Sequence, residues 1–163
     1  LVLNYVLRRK PRLNGAIAMS LGLRTEVPTP PFKLALARIL SQIVPTMLFY
    51  NGVKAKDLSR DPEVAKSVLN DPYYHFLISA RLGVDILDAG EWALEHASEF
   101  PVPLLLMHGT ADKIASAKTT EEFASKVKVD CTLKLWDGFY HELLNEPEKG
   151  KVLQYIVDWM KAR

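Results

Sequence analysis

Cysteine, surplus charge and long apolar runs are all scarce in this sequence, and each scarcity excludes something. One cysteine among 163 residues, Cys131, cannot close an internal disulfide, so the fold must hold by packing; a lone thiol is common in a reducing, cytoplasmic setting. Lys plus Arg number 21 and Asp plus Glu 19, without the basic excess that a phosphate backbone demands, so nucleic acid is not an expected partner. No run approaches the roughly 20 apolar residues that cross a bilayer. The basic cluster Arg8, Arg9 and Lys10 follows the apolar run of residues 1–7, the reverse of a signal peptide. Start signals are missing too. Neither an initiator Met nor an N-cap residue precedes Leu1-Val-Leu-Asn-Tyr-Val-Leu7, which therefore reads as the middle of a helix in a truncated chain. What is present, 48% hydrophobic and 25% charged residues, is the composition of a globular protein with one sizeable core.

The order of patterns along the chain implies an α/β architecture. Cations at the end of the first helix complement its C-terminus and Pro11 stops it. After an Asn14-Gly15 turn, the apolar run of residues 16–21 suits a parallel strand buried on both faces. Pro28, Pro30 and Pro31 then mark a connector leaving the sheet. Phe32, Leu36, Ile39, Leu40 and Ile43 recur at helical spacing, with Lys33, Arg38 and Gln42 largely on the other side. Asp61-Pro62-Glu63 supplies an N-cap, a first-turn proline and a first-turn acid for a short helix to about residue 69. A partly helical stretch follows over 76–99, weakened by Gly83 and Gly90. Residues 25–100 thus read as mainly helical with no convincing strand. Strand character returns at 102–107, followed by a helix over 117–127, a strand over 132–136 and a final amphipathic helix with Val152, Ile156, Trp159 and Met160. The layout is a core of residues 1–24 and 101–163 around a helical insertion of residues 25–100.

Two loops could carry chemistry. Asp112 follows the strand ending in His108-Gly109, at the carboxyl edge where parallel sheets collect ligands. His141 follows the next strand through the Asp137-Gly138 turn, 29 residues later, room for one crossover helix and one strand. A carboxylate beside an imidazole fixes its tautomer and stabilises the imidazolium formed on proton uptake. Each residue alone also has an ordinary reading, Asp112 as a turn former and His141 as a loop histidine. His108 reads as a packed or hydrogen-bonded strand-end residue close enough to Asp112 to shape the site. His75 and His96 lack the spaced partners of a metal site, and Cys131 reads as a bystander.

The segments Pro101-Val-Pro-Leu-Leu-Leu-Met-His-Gly-Thr-Ala-Asp-Lys113 and Trp136-Asp-Gly-Phe-Tyr-His-Glu-Leu-Leu-Asn-Glu-Pro147 resemble the acid and histidine loops of the monoacylglycerol lipase and lysophospholipase branch of the α/β-hydrolases. The resemblance implies a partial α/β-hydrolase fold with a helical lid, Asp112 as triad acid, His141 as triad base, and no metal or organic cofactor. It also implies that residues 1–7 lie directly behind a nucleophile elbow. The chain itself has no G-x-S-x-G, so the serine and the oxyanion donors are expected upstream of Leu1, in the missing N-terminal half of the fold. Ala18-Met-Ser-Leu-Gly22 has similar letters, but a proline-rich connector follows Ser20 where an elbow requires a helix.

The expected function is carboxylic ester hydrolysis, with the chain alone inactive for want of its nucleophile. Met47, Leu48, Phe49 and Ile114 are expected to line an apolar cavity over the two loops and take an acyl chain, and the lid's apolar patch suggests transient contact with a membrane surface. Two alternatives stay open: a non-catalytic binding module on the same fold, and a related peptidase or haloperoxidase.

Overall fold

The computed structural model describes residues 1–27 and 29–163; Pro28 of the connector lies outside the described residues. Helix α1 (Val2–Arg9) buries Leu3, Val6 and Leu7 along one stripe and ends with Lys10 in the left-handed region, φ 46°. Strand β1 (Ala16–Met19) follows. The insertion then contributes α2 (Pro31–Ile43), β2 (Leu48–Tyr50), α3 (Pro62–Asn70), β3 (Leu77–Ser79) and α4 (Ala80–Glu95). Strand β4 (Leu104–Gly109), α5 (Ala117–Lys126), β5 (Cys131–Trp136) and α6 (Lys149–Lys161) complete the chain.

Strands β1, β4 and β5 form a parallel sheet in that order, with Ala16 opposite Leu104 and Leu104 opposite Cys131. Strand β4 is central and buried along its whole length, because helices cover both faces. Its side chains alternate as pleating requires. Leu104 and Leu106 join α1, α5 and the later part of α4 in one cluster with Phe100 and Phe123. Leu105 and Met107 join Phe139, Leu143, Val152 and Trp159 beneath α6 in the other.

The insertion departs from its sequence reading in two places. Strands β2 and β3 pair antiparallel, Phe49 opposite Ile78, where no strand is expected. Each has three residues, too few for an alternating pattern to stand out, and the pairing joins segments separated by the whole of α3. Helix α2 forms where helical spacing is read but turns most of its apolar stripe outward. Phe32, Leu36, Ile39 and Ile43 are exposed, whereas Leu34, Ala37, Leu40 and Ser41 face inward on the side packed against α4. The helix has two apolar faces, and periodicity alone cannot choose between them. The Asp61 cap forms as read, its carboxylate accepting from Glu63 N–H at 3.0 Å.

The carboxyl ends of β4 and β5 approach so closely that one position tolerates no side chain. A Cβ on Gly109 would lie 2.3 Å from the Phe139 carbonyl oxygen, a backbone atom that cannot swing away. Gly109→Ala is therefore expected to cost about 3 kcal/mol by overpacking, read by urea unfolding. At Gly150 in α6 nothing lies within 4 Å of the added Cβ, so Gly150→Ala should be neutral or stabilise by up to ~1 kcal/mol.

Candidate active site

The loop after β4 folds around one carboxylate. Asp112 Oδ1 accepts from the N–H groups of Ile114 at 2.8 Å and Ala115 at 3.0 Å, tying the loop into a turn. Asp112 Oδ2 accepts from two imidazoles, His141 Nδ1 at 2.7 Å and His108 Nε2 at 3.0 Å. The carboxylate is fully buried. Burial alone raises a carboxyl pKa, but the hydrogen bonds from His108, His141 and Ala115 and the nearby His141 charge outweigh it, holding Asp112 well below the ordinary carboxylate range.

The sequence reading thus brings Asp112 and His141 together correctly, on loops following adjacent parallel strands. Thr110 laces those loops: its N–H donates to the Trp136 carbonyl, and its hydroxyl bridges Asp137 Oδ1 and the Gly138 N–H. Gly138 takes φ +73° in the turn, a conformation few side chains adopt. His141 keeps about a quarter of its side chain exposed, and its Nε2 has no hydrogen-bond partner among the described residues. Nδ1–H on the carboxylate and Nε2 free is the arrangement a general base needs.

His108 contributes more than strand-end packing. It is fully buried, with Nε2 facing both Asp112 Oδ2 and the Ala115 carbonyl at 3.2 Å, and Nδ1 facing Thr120 Oγ1 at 2.7 Å. Two acceptors at Nε2 place a proton there, and the Thr120 hydroxyl completes the other side. His96 instead bonds the Trp92 carbonyl and stacks on that ring, and His75 Nδ1 accepts from Leu77 N–H, so both serve local structure. Cys131 starts β5, where burial raises its thiol pKa. Among the described residues no group of three His, Cys, Asp or Glu side chains could hold a metal ion.

Ser20 takes φ 48°, an unusual conformation for serine, and its hydroxyl donates to the backbone carbonyl of His141 rather than to the ring. Turn and bend residues follow it, not a helix. Ser20 therefore lacks both the helix and the imidazole contact of an elbow nucleophile. Of the expected acyl contacts, Phe49 and Ile114 are half-buried, while Met47 and Leu48 are exposed. A groove of about 660 Å³ lies elsewhere, between α1, the end of β1 and α4, with Val2, Ser20, Leu21, Leu23, Leu82 and Ile86 among its lining. Sequence reasoning missed this groove, since its α4 wall, residues 82–90, lies far along the chain from the walls at residues 1–8 and 17–23. No helix among the described residues is long and apolar enough to cross a membrane.

Comparison with known proteins bears on the family and the fold. The family described as serine aminopeptidase, S33, matches residues 1–148. The monoacylglycerol lipase of Mycolicibacterium smegmatis is 30% identical over 132 residues, covering 80% of this chain and 47% of that protein. Phospholipase YtpA of Bacillus subtilis is 30% identical over 151 residues, covering 90% of this chain and 58% of that protein. The crystal structure of Paleococcus ferrophilus monoacylglycerol lipase superposes with a TM-score of 0.92 at 34% identity, over 97% of this chain and 62% of that one. The chain thus spans about half the length of these curated relatives. Its sheet with flanking helices is part of an α/β-hydrolase fold.

The depressed Asp112 pKa fixes a pH dependence. A folded-state pKa below the unfolded value of ~3.9 gives stability that is present above that value and lost as pH falls toward the folded one. The urea midpoint should therefore fall as pH drops below about 4. Asp112→Asn should flatten that fall while costing about 2–3 kcal/mol at pH 7, because donors are left facing a weaker acceptor.

Proposed function

This chain belongs to the serine aminopeptidase S33 family of α/β-hydrolases, and from that premise we propose that it carries the acid, base and lid of a carboxylic ester hydrolase. The substrates would be monoacylglycerols, lysophospholipids or similar acyl esters. The observation that carries the reading is the Asp112–His141 contact at 2.7 Å with Nε2 of His141 left unpartnered. Asp112 holds the Nδ1–H tautomer and stabilises the imidazolium. His141 takes the proton of an attacking serine and passes it to the leaving alcohol, and water then releases the fatty acid from the acyl-enzyme. The serine and the oxyanion donors are proposed to lie upstream of Leu1; the lack of G-x-S-x-G in these residues and the 62% coverage of the Paleococcus ferrophilus lipase support that assignment.

Residues 25–100 act as the lid over a core of residues 1–24 and 101–163. Met47, Leu48, Phe49 and Ile114 contact the acyl chain, each methylene buried adding ~0.8 kcal/mol. The outward stripe Phe32, Leu36, Ile39 and Ile43 supports transient contact with a membrane surface, since an exposed apolar patch of that kind commonly marks an interaction site. The lipase and phospholipase names of the relatives favour esters. The aminopeptidase description of the family favours a second reading, amide cleavage by the same acid and base.

The purified 163-residue chain should not hydrolyse p-nitrophenyl esters, because a base without its nucleophile gives little acyl transfer. Joined to its serine-bearing segment it should do so, and His141→Ala should lower that activity by several orders of magnitude. Catalytic efficiency should rise from acetyl to decanoyl esters, with Phe49→Ala reducing the gain. A flat series would remove the lipid-like assignment. Cleavage of aminoacyl p-nitroanilides without ester turnover would establish the peptidase, and neither activity would leave a binding module.

A further inference from the structure

The loop that carries His141 is gripped by a carboxylate that the proposed chemistry does not use. Glu146 is fully buried. Its Oε1 accepts from the backbone N–H of Tyr140, immediately before His141, at 2.7 Å. Its Oε2 accepts from Nε of Arg60 at 2.7 Å, and the Arg60 N–H approaches Oε1 at 3.4 Å. Arg60 lies 86 residues earlier, in the insertion. Its guanidinium also pairs with Glu148 and rests over the Phe139 ring, 4.5 Å from the centroid.

The neighbouring residues repeat the connection. Glu142 N–H, immediately after His141, donates to the Leu58 carbonyl at 2.8 Å, and the Ser59 hydroxyl donates to the Asn145 carbonyl at 2.8 Å. Residues 58–60 therefore hold the histidine loop on both sides of His141. A fully buried carboxylate needs ion-pair and hydrogen-bond partners to be tolerated, and an apolar residue could fill the same space without them. What an apolar residue cannot do is fix the Tyr140 amide and an insertion residue on one rigid group.

We propose that Arg60 and Glu146 are a positioning pair that aligns His141 with Asp112 only while residues 58–60 of the insertion are docked on the histidine loop. The proposal rests on the reading of His141 as the base. Neither residue reaches the reacting atoms; both act through the Tyr140 amide. The base of the insertion is then a fixed strut, and a loss of docking disarms the histidine.

The test uses the enzyme carrying its serine-bearing segment, with Arg60→Met, Glu146→Gln and the double variant. Arg60 is one-third exposed, so its replacement is the one expected to fold, which thermal unfolding checks. Each single variant should lower kcat by roughly 10- to 100-fold with KM within about twofold, the loss expected for a reacting group misplaced by about an ångström. The double variant should be no worse than the poorer single one, because the pair acts as a unit. The acidic limb of the kcat/KM profile should move, and Arg60→Lys should recover part of the loss. Independently of turnover, the low-field proton resonance of the His141 Nδ1–H on Asp112 should broaden or vanish in Arg60→Met. A folded Arg60→Met with wild-type kcat and an unchanged resonance overturns the proposal, as does a rise in KM alone. A wild-type enzyme that hydrolyses no ester defeats the hydrolase reading, and the resonance still decides the role of the pair.

Discussion

The Asp112 carboxylate, held ionised out of water by two backbone N–H groups and two imidazoles, is the constraint on which the rest of the site depends. A charge in that position is tolerated only when its lone pairs are filled, so the four donors must arrive together. Ile114 and Ala115 supply theirs through a tight turn. His108 supplies its own from the last turn-facing position of β4, braced by Thr120 of α5. His141 supplies the fourth from the next loop. Removing any one leaves the others facing an under-filled charge, which ties the end of the central strand, the crossover helix and the histidine loop into one cooperative unit.

That unit sets what the histidine can do. With Nδ1–H committed to Asp112, Nε2 is the nitrogen left to exchange a proton, and the exposed quarter of the side chain gives it access. Three separate elements steady the backbone behind the ring. Ser20 at the end of β1 donates to the His141 carbonyl, the Phe139 carbonyl accepts from Ala111 N–H beside Gly109, and residues 58–60 hold Glu142 directly and Tyr140 through Glu146. Ser20 accepts an unfavourable backbone angle to make its bond, which is tolerable where the surrounding contacts over-determine the position.

What the sequence makes legible is what local pattern and loop position encode. The buried run of β4, the Asp61 cap, the Asp137-Gly138 turn and the pairing of Asp112 with His141 all follow from spacing, residue type and the edge at which parallel strands end. His108 was readable as a neighbour of Asp112, but not as its second imidazole, because that contact depends on the ring's rotation within the core. The Arg60–Glu146 pair left no trace. Two charged residues 86 positions apart read as solvated surface until the fold brings them together. Strands β2 and β3 were invisible for a related reason, since three residues acquire extended structure from their partner and not from their own pattern.

Two parts of the insertion make contacts of different kinds. Residues 58–60 are fixed by hydrogen bonds and an ion pair whose carboxylate is fully buried and whose guanidinium is one-third exposed, so losing the guanidinium leaves a buried charge without its partner. Helix α2 meets α4 through the half-buried Leu34, Ala37 and Leu40 and a solvent-exposed Arg38–Asp88 bridge. Helix α2 is the part with four large apolar side chains facing outward. The apolar stripe and the contacts that hold the histidine loop therefore lie on separate elements of one insertion, so a substitution in the stripe leaves the Leu58–Glu142 and Arg60–Glu146 contacts in place.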